Sequence, residues 1–121
     1  MTAPIAMSVG EPAGIGPEIA AKAWLHLGAR LPFFVIGDPR HLAGHGARVI
    51  EIAAPADAMT ASVRGLPVLA QDFAAPARPG QPAPENAQGV IDAIARGVDL
   101  VMRGQASALC TAPIHKKALK D

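Results

Sequence analysis

Two short stretches hold most of the groups in this chain that could do chemistry. The first is Met7-Ser8-Val9-Gly10-Glu11-Pro12-Ala13-Gly14-Ile15-Gly16-Pro17-Glu18. An apolar run, Ile5 to Val9, leads in, and a helical pattern, Pro17 to Leu27, leads out. A glycine-rich loop between a strand and a helix leaves the first-turn N–H groups without intrahelical partners, and the helix dipole adds positive potential, so the place favours anions. Gly14 and Gly16 lack Cβ and permit close approach of backbone to a ligand. Glu11 is the only charge inside the loop and could accept hydrogen bonds from hydroxyls of a ribose or a substrate. The spacing Gly-x-x-x-Gly-x-Gly matches neither the Gly-x-Gly-x-x-Gly dinucleotide motif nor a Walker A loop. Gly10, Glu11, Gly14 and Gly16 are therefore candidate ligand contacts, although the same residue types also suit a tight structural corner.

The second stretch follows an apolar strand near residue 110. Thr111, His115, Lys116 and Lys117 offer a hydroxyl, an imidazole and two ammonium groups close to a helix start, a set that suits phosphate. Thr111, His115 and Lys116 are the candidate phosphate contacts. Lys117 and Lys120 read better as a solvated basic turn. Cys110 sits inside the apolar strand and reads as a buried small hydrophobe rather than a nucleophile. No metal site is expected from this chain. His41 and His45 have helical i, i+4 spacing, but Gly44 and Gly46 flank His45 and no neighbouring acid completes a ligand set.

The elements that position these loops follow from periodicity. Ile5–Val9, Phe33–Ile36, Arg48–Ala53, Leu66–Ala70 and Ser107–Thr111 read as strands. Pro17 suits a first helical residue, and Ile19, Ala20, Ala23, Trp24 and Leu27 recur at helical spacing up to the stop at Gly28. Gly37-Asp38-Pro39 turns the chain into a short helix through Leu42. Residues 55–64 have no firm period. Ala74 to Pro84, with four prolines and Gly80, reads as an extended connector within one partial α/β domain spanning residues 1–121. Glu85 to Arg103 is the clearest helix, with an apolar stripe of Ala87, Val90, Ile91, Ile94, Val98 and Val101. Gly89 and Gly97 there either permit close packing or are merely tolerated. Ile114 to Lys120 reads as the start of a last helix. Alternating strands and helices predict an α/β fold with a mostly parallel sheet and crossover helices, with ligands bound beyond the carboxyl ends of the strands.

Composition narrows the function. The 121 residues carry a net charge of +1 and no basic block, so nucleic acid is not an expected partner. No apolar run approaches the roughly 20 residues of a membrane span. The single cysteine excludes an internal disulfide framework. The expected class is a cytoplasmic α/β protein, its core built of Ala, Val, Ile and Leu because aromatic residues make up only 3%.

The two loops together resemble a known family. Ser8 to Glu18 is similar to the N-terminal motif of 4-hydroxythreonine-4-phosphate dehydrogenases, and Thr111-Ala112-Pro113-Ile114-His115-Lys116-Lys117-Ala118-Leu119 looks like a second motif of the same family. The resemblance implies a fold of the isocitrate/isopropylmalate dehydrogenase kind and the NAD-dependent oxidation and decarboxylation of a phosphorylated hydroxy amino acid in pyridoxal 5′-phosphate synthesis. It implies a cytoplasmic homodimer with a divalent metal (zinc, magnesium or cobalt), and a cofactor or active-site cleft walled by Gly10, Glu11, Gly14 and Gly16. Such enzymes run to roughly 330 residues. The chain therefore reads as an N-terminal segment of about a third of the enzyme, inactive alone. The family's catalytic and metal-binding residues lie further on, and none is assigned here. The alternatives are a paralogue that oxidises a four-carbon sugar-acid 4-phosphate, and a non-catalytic phosphate- or nucleotide-binding module.

Overall fold

The computed structural model describes residues 3–28 and 30–113. The expected last helix, with His115 and Lys116, lies outside them. Five strands form one parallel sheet: β1 (Ile5–Ser8), β2 (Phe33–Gly37), β3 (Val49–Ile52), β4 (Leu66–Ala70) and β5 (Leu109–Thr111), in the order β3-β4-β2-β1-β5. Four helices connect them: α1 (Gly16–Leu27), α2 (Pro39–Leu42), α3 (Ala58–Ser62) and α4 (Ala87–Met102). Right-handed crossovers fix the layers. The β1-to-β2 and β2-to-β3 connections step one way along the sheet, and the next two step back. Accordingly, α1 and α2 share one face with Met7, Val9, Phe33, Val35, Leu66 and Val68. The α3 and α4 helices cover Ala6, Phe34, Ile36 and Leu69 on the other face. The α/β class and the parallel sheet expected from the alternation are both present.

The helix faces differ from the expected stripes. In α4 the buried residues are Gly89, Val90, Ala93, Gly97 and Leu100, while Ile91 and Val98 are exposed. The helix lies so close to its neighbours that glycine and alanine form the contact. A Cβ on Gly89 would meet the Phe73 ring, and one on Gly97 would meet the Leu109 side chain. Of the two readings for these glycines, close packing is the one observed. The same shift occurs in α1, where Ala20 and Ala21 are fully buried and Ile19 is exposed. The stretch without a firm period contains a 3-10 turn (Pro55–Asp57) and α3, whose buried residues are only Ala58, Ala61 and Ser62 while Met59 and Val63 face outward. A helix that buries small residues leaves no apolar period to read. A Schellman motif ends α4: Gly104 has φ of 76°, its N–H bonds the Val101 carbonyl, and the Gln105 N–H bonds the Leu100 carbonyl.

Cys110 is exposed, contrary to expectation. It pairs with Met7 on the outermost strand. Met7 packs in the core cluster with α1, and beside it the β5 segment adds to that cluster only Ala112, just past the strand's end.

Candidate functional site

The strand order puts the two chemical loops side by side. The β1 strand continues to β2 by way of α1 on one face, and β5 is reached from β4 by way of α4 on the opposite face. The carboxyl ends of β1 and β5 are therefore neighbours in the sheet, and parallel sheets bind ligands beyond the carboxyl ends of their strands. The register pairs Ser8 with Thr111, the last residue of each strand. Beyond it the Ala112 N–H donates to the Ser8 carbonyl at 3.0 Å, and the Glu11 N–H donates to the Pro113 carbonyl at 3.0 Å. The residues after β1 and those after β5 are one hydrogen-bonded piece of backbone.

Glycine makes that joint possible. Gly10 has φ of 74°, and a Cβ there would collide with the Ala112 and Pro113 carbonyls. At Gly16 a Cβ would strike the Val9 carbonyl. The close approach that these two glycines permit is to the chain's own backbone. Gly14 is exposed, and its N–H donates to the Glu11 carbonyl. Glu11 is buried, with Oε1 accepting the Ala13 N–H at 3.0 Å, so its carboxylate braces the turn from within. Thr111 is exposed at the end of β5, and its Oγ1 accepts a hydrogen bond from the buried Ser8 hydroxyl at 3.1 Å.

A buried polar cluster at the same edge carries no motif in the sequence. The Asp38 side chain caps α2 by accepting the Arg40 N–H at 2.9 Å, and it receives the Arg40 guanidinium through Nε and Nη2. Burial pushes the Asp38 carboxyl up, but hydrogen bonds from the Arg40 side chain and backbone, with the positive charges of His41 and Arg40, outweigh it and hold it below the usual carboxylate value. Arg40 Nη2 also donates to the Phe73 carbonyl. The His41 ring packs edge-on to Phe73, and its Nε2 donates to the Ala75 carbonyl at 2.8 Å. Asn86, 1% exposed, accepts the Ala75 N–H. These contacts anchor the start of the proline-rich connector. Its tip, an Arg78-Pro79-Gly80-Gln81 turn with Gly80 at φ of 75°, donates from the Gly80 N–H to the Ala13 carbonyl. The connector thus forms a third border of the first loop. The turn at Gly37-Asp38-Pro39 into a short helix was readable, but the Asp38 side-chain cap was not, and nothing in the sequence marked Asn86.

The donor set does not fit a resident metal. Among the described residues no three His, Cys, Asp or Glu side chains come together, and His41 is committed to a carbonyl. An apolar recess bordered by Pro4, Pro32, Met59 and Gly104 lies near the amino ends of β1 and β2, away from both loops. Among the described residues no helix is long and apolar enough to cross a membrane.

Comparison with known proteins points the same way. Residues 30–121 match the family described as pyridoxal phosphate biosynthetic protein PdxA. The chain is similar to 4-hydroxythreonine-4-phosphate dehydrogenase of Roseobacter denitrificans, 57% identical over 99% of this chain and 36% of that protein. It is 55% identical to the enzyme of the same name from Ruegeria sp., over 97% of this chain and 36% of the relative. The crystal structure of a 4-hydroxythreonine-4-phosphate dehydrogenase from Klebsiella pneumoniae superposes with a TM-score of 0.84 at 28% identity, covering 98% of this chain and 39% of that one. The chain therefore spans little more than a third of the length of the proteins it matches.

Proposed function

The chain belongs to the pyridoxal phosphate biosynthetic protein PdxA family, and from that premise we propose that it forms the β1–β5 cleft wall of a 4-hydroxythreonine-4-phosphate dehydrogenase. In this reading the complete enzyme is a cytoplasmic, NAD-dependent homodimer. It oxidises the secondary hydroxyl of 4-phosphooxy-L-threonine to a ketone, the hydride passing to NAD and the proton to solvent. The resulting β-keto acid loses carbon dioxide and yields 3-amino-2-oxopropyl phosphate. The divalent metal belongs to parts of the enzyme beyond these residues, and no step is routed through it here.

This chain's own contribution is binding and shape. The joined backbone from Gly10 to Gly16 walls the crevice, with Gly14 on its open side and Glu11 holding the turn rigid. Thr111 offers a hydroxyl at the mouth, and His115 and Lys116, which follow in sequence, add an imidazole and an ammonium group for the phosphate. The observation that carries the reading is the hydrogen-bonded union of the two motif loops beyond the carboxyl ends of β1 and β5.

The test uses the complete gene product that carries residues 1–121, supplied with 4-phosphooxy-L-threonine, NAD and a divalent metal. Saturable NADH formation with release of carbon dioxide is expected. Folded protein that leaves this substrate untouched but oxidises a four-carbon sugar-acid 4-phosphate would replace the reading with the paralogue.

A further inference from the structure

Ser8 is an unusual residue for its place. It closes β1 between the buried apolar residues Met7 and Val9, and it is 1% exposed. Its only hydrogen-bond partner through Oγ among the described residues is the Thr111 hydroxyl, at 3.1 Å. Two hydroxyls in contact share one bond, and it can run either way. If Thr111 donated, the Ser8 proton would be left in a buried place with no acceptor, and an unmet buried donor is costly. If Ser8 donates, every group is satisfied, because Thr111 is exposed and can turn its own proton outward. Burial therefore sets the direction of the bond. With its oxygen held by Ser8, the Thr111 O–H is left to donate outward from the end of β5.

We propose that Ser8 is a positioning residue whose hydroxyl orients Thr111 Oγ1–H as a fixed donor to a phosphate oxygen of the ligand. A phosphate suits this place because its charged oxygens accept hydrogen bonds more strongly than the water that an exposed hydroxyl otherwise meets. The proposal deepens the functional reading given above and rests on it for the presence of a phosphorylated ligand.

The experiment compares Ser8→Ala, Thr111→Val, Thr111→Ser and the Ser8→Ala/Thr111→Val double variant in the complete gene product. The readouts are KM for the phosphorylated substrate, kcat, and Ki for inorganic phosphate. Thr111→Val is expected to raise KM and phosphate Ki about tenfold, as loss of one hydrogen bond to a charged group does, with the larger effect on KM than on kcat. Thr111→Ser restores both. Ser8→Ala raises both by a smaller factor, and adding it to Thr111→Val raises them no further. Variants that lower the melting temperature but leave KM and Ki at wild-type values would overturn the proposal, as would additive effects in the double variant. Should the complete product show no dehydrogenase activity, the functional reading fails, and calorimetric titration with inorganic phosphate decides this proposal separately. Wild-type protein that binds no phosphate would overturn it, and weaker binding in Ser8→Ala would support it.

Discussion

At the scale of single residues, glycine does more for the joint than for any ligand. Gly10 combines a φ of 74° with carbonyl oxygens where a Cβ would stand. Gly104 has nearly the same φ, 76°, but open space around it. The pair separates two costs. Gly104→Ala should destabilise the chain by about 1–2 kcal/mol, the penalty for a left-handed residue with a side chain. Gly10→Ala should cost more than about 3 kcal/mol, because the backbone after β5 must also move. Urea denaturation of both variants measures the difference, and equal losses would show that the joint is not as tight as described. The residue types of the first loop were legible in the sequence, but their partners were not. Glu11 read as a free acceptor for a ligand, yet one of its oxygens holds the Ala13 N–H, a bond between neighbours that spacing alone does not reveal. Ser8 was inconspicuous for a related reason: its partner lies 103 residues away.

At the scale of elements, strand and helix positions were legible to within a few residues, while helix faces were not. The apolar period of α4 is real, but its buried side is defined by Gly89, Ala93 and Gly97, which carry almost no hydrophobic signal. Large apolar residues such as Ile91 and Val98 then appear to mark a core they do not occupy. Leu100→Ala should therefore cost about 2–4 kcal/mol. Ile91→Gln and Val98→Gln should each stay within about 0.5 kcal/mol of wild type. Chemical denaturation of the three variants checks this assignment of the face, and comparable losses in all three would contradict it. The connector shows the opposite imbalance. Its prolines read as an extended connector, and they concealed the anchoring of Phe73 and Ala75 by Arg40, His41 and Asn86. Those donors and acceptors come from α2 and from the residue preceding α4, elements that periodicity treats as unrelated.

At the scale of the whole molecule, the alternation of elements was enough to predict a parallel sheet. It did not predict that the first and last strands are neighbours. That adjacency depends on the chain reversing its direction along the sheet after β3, and the reversal joins two separate motifs into one hydrogen-bonded piece of backbone. The matches to curated relatives and the structural superposition cover nearly the whole chain but little more than a third of each relative. The united loops are what this chain contributes to the proposed enzyme. Hydrogen exchange by mass spectrometry on the complete gene product, with and without 4-phosphooxy-L-threonine, tests that union most directly. The account predicts that ligand slows exchange in residues 10–17 and 111–117 together, with the amino-end recess around Pro4 and Pro32 unchanged. Protection confined to one of the two loops, or appearing at the recess instead, would contradict it.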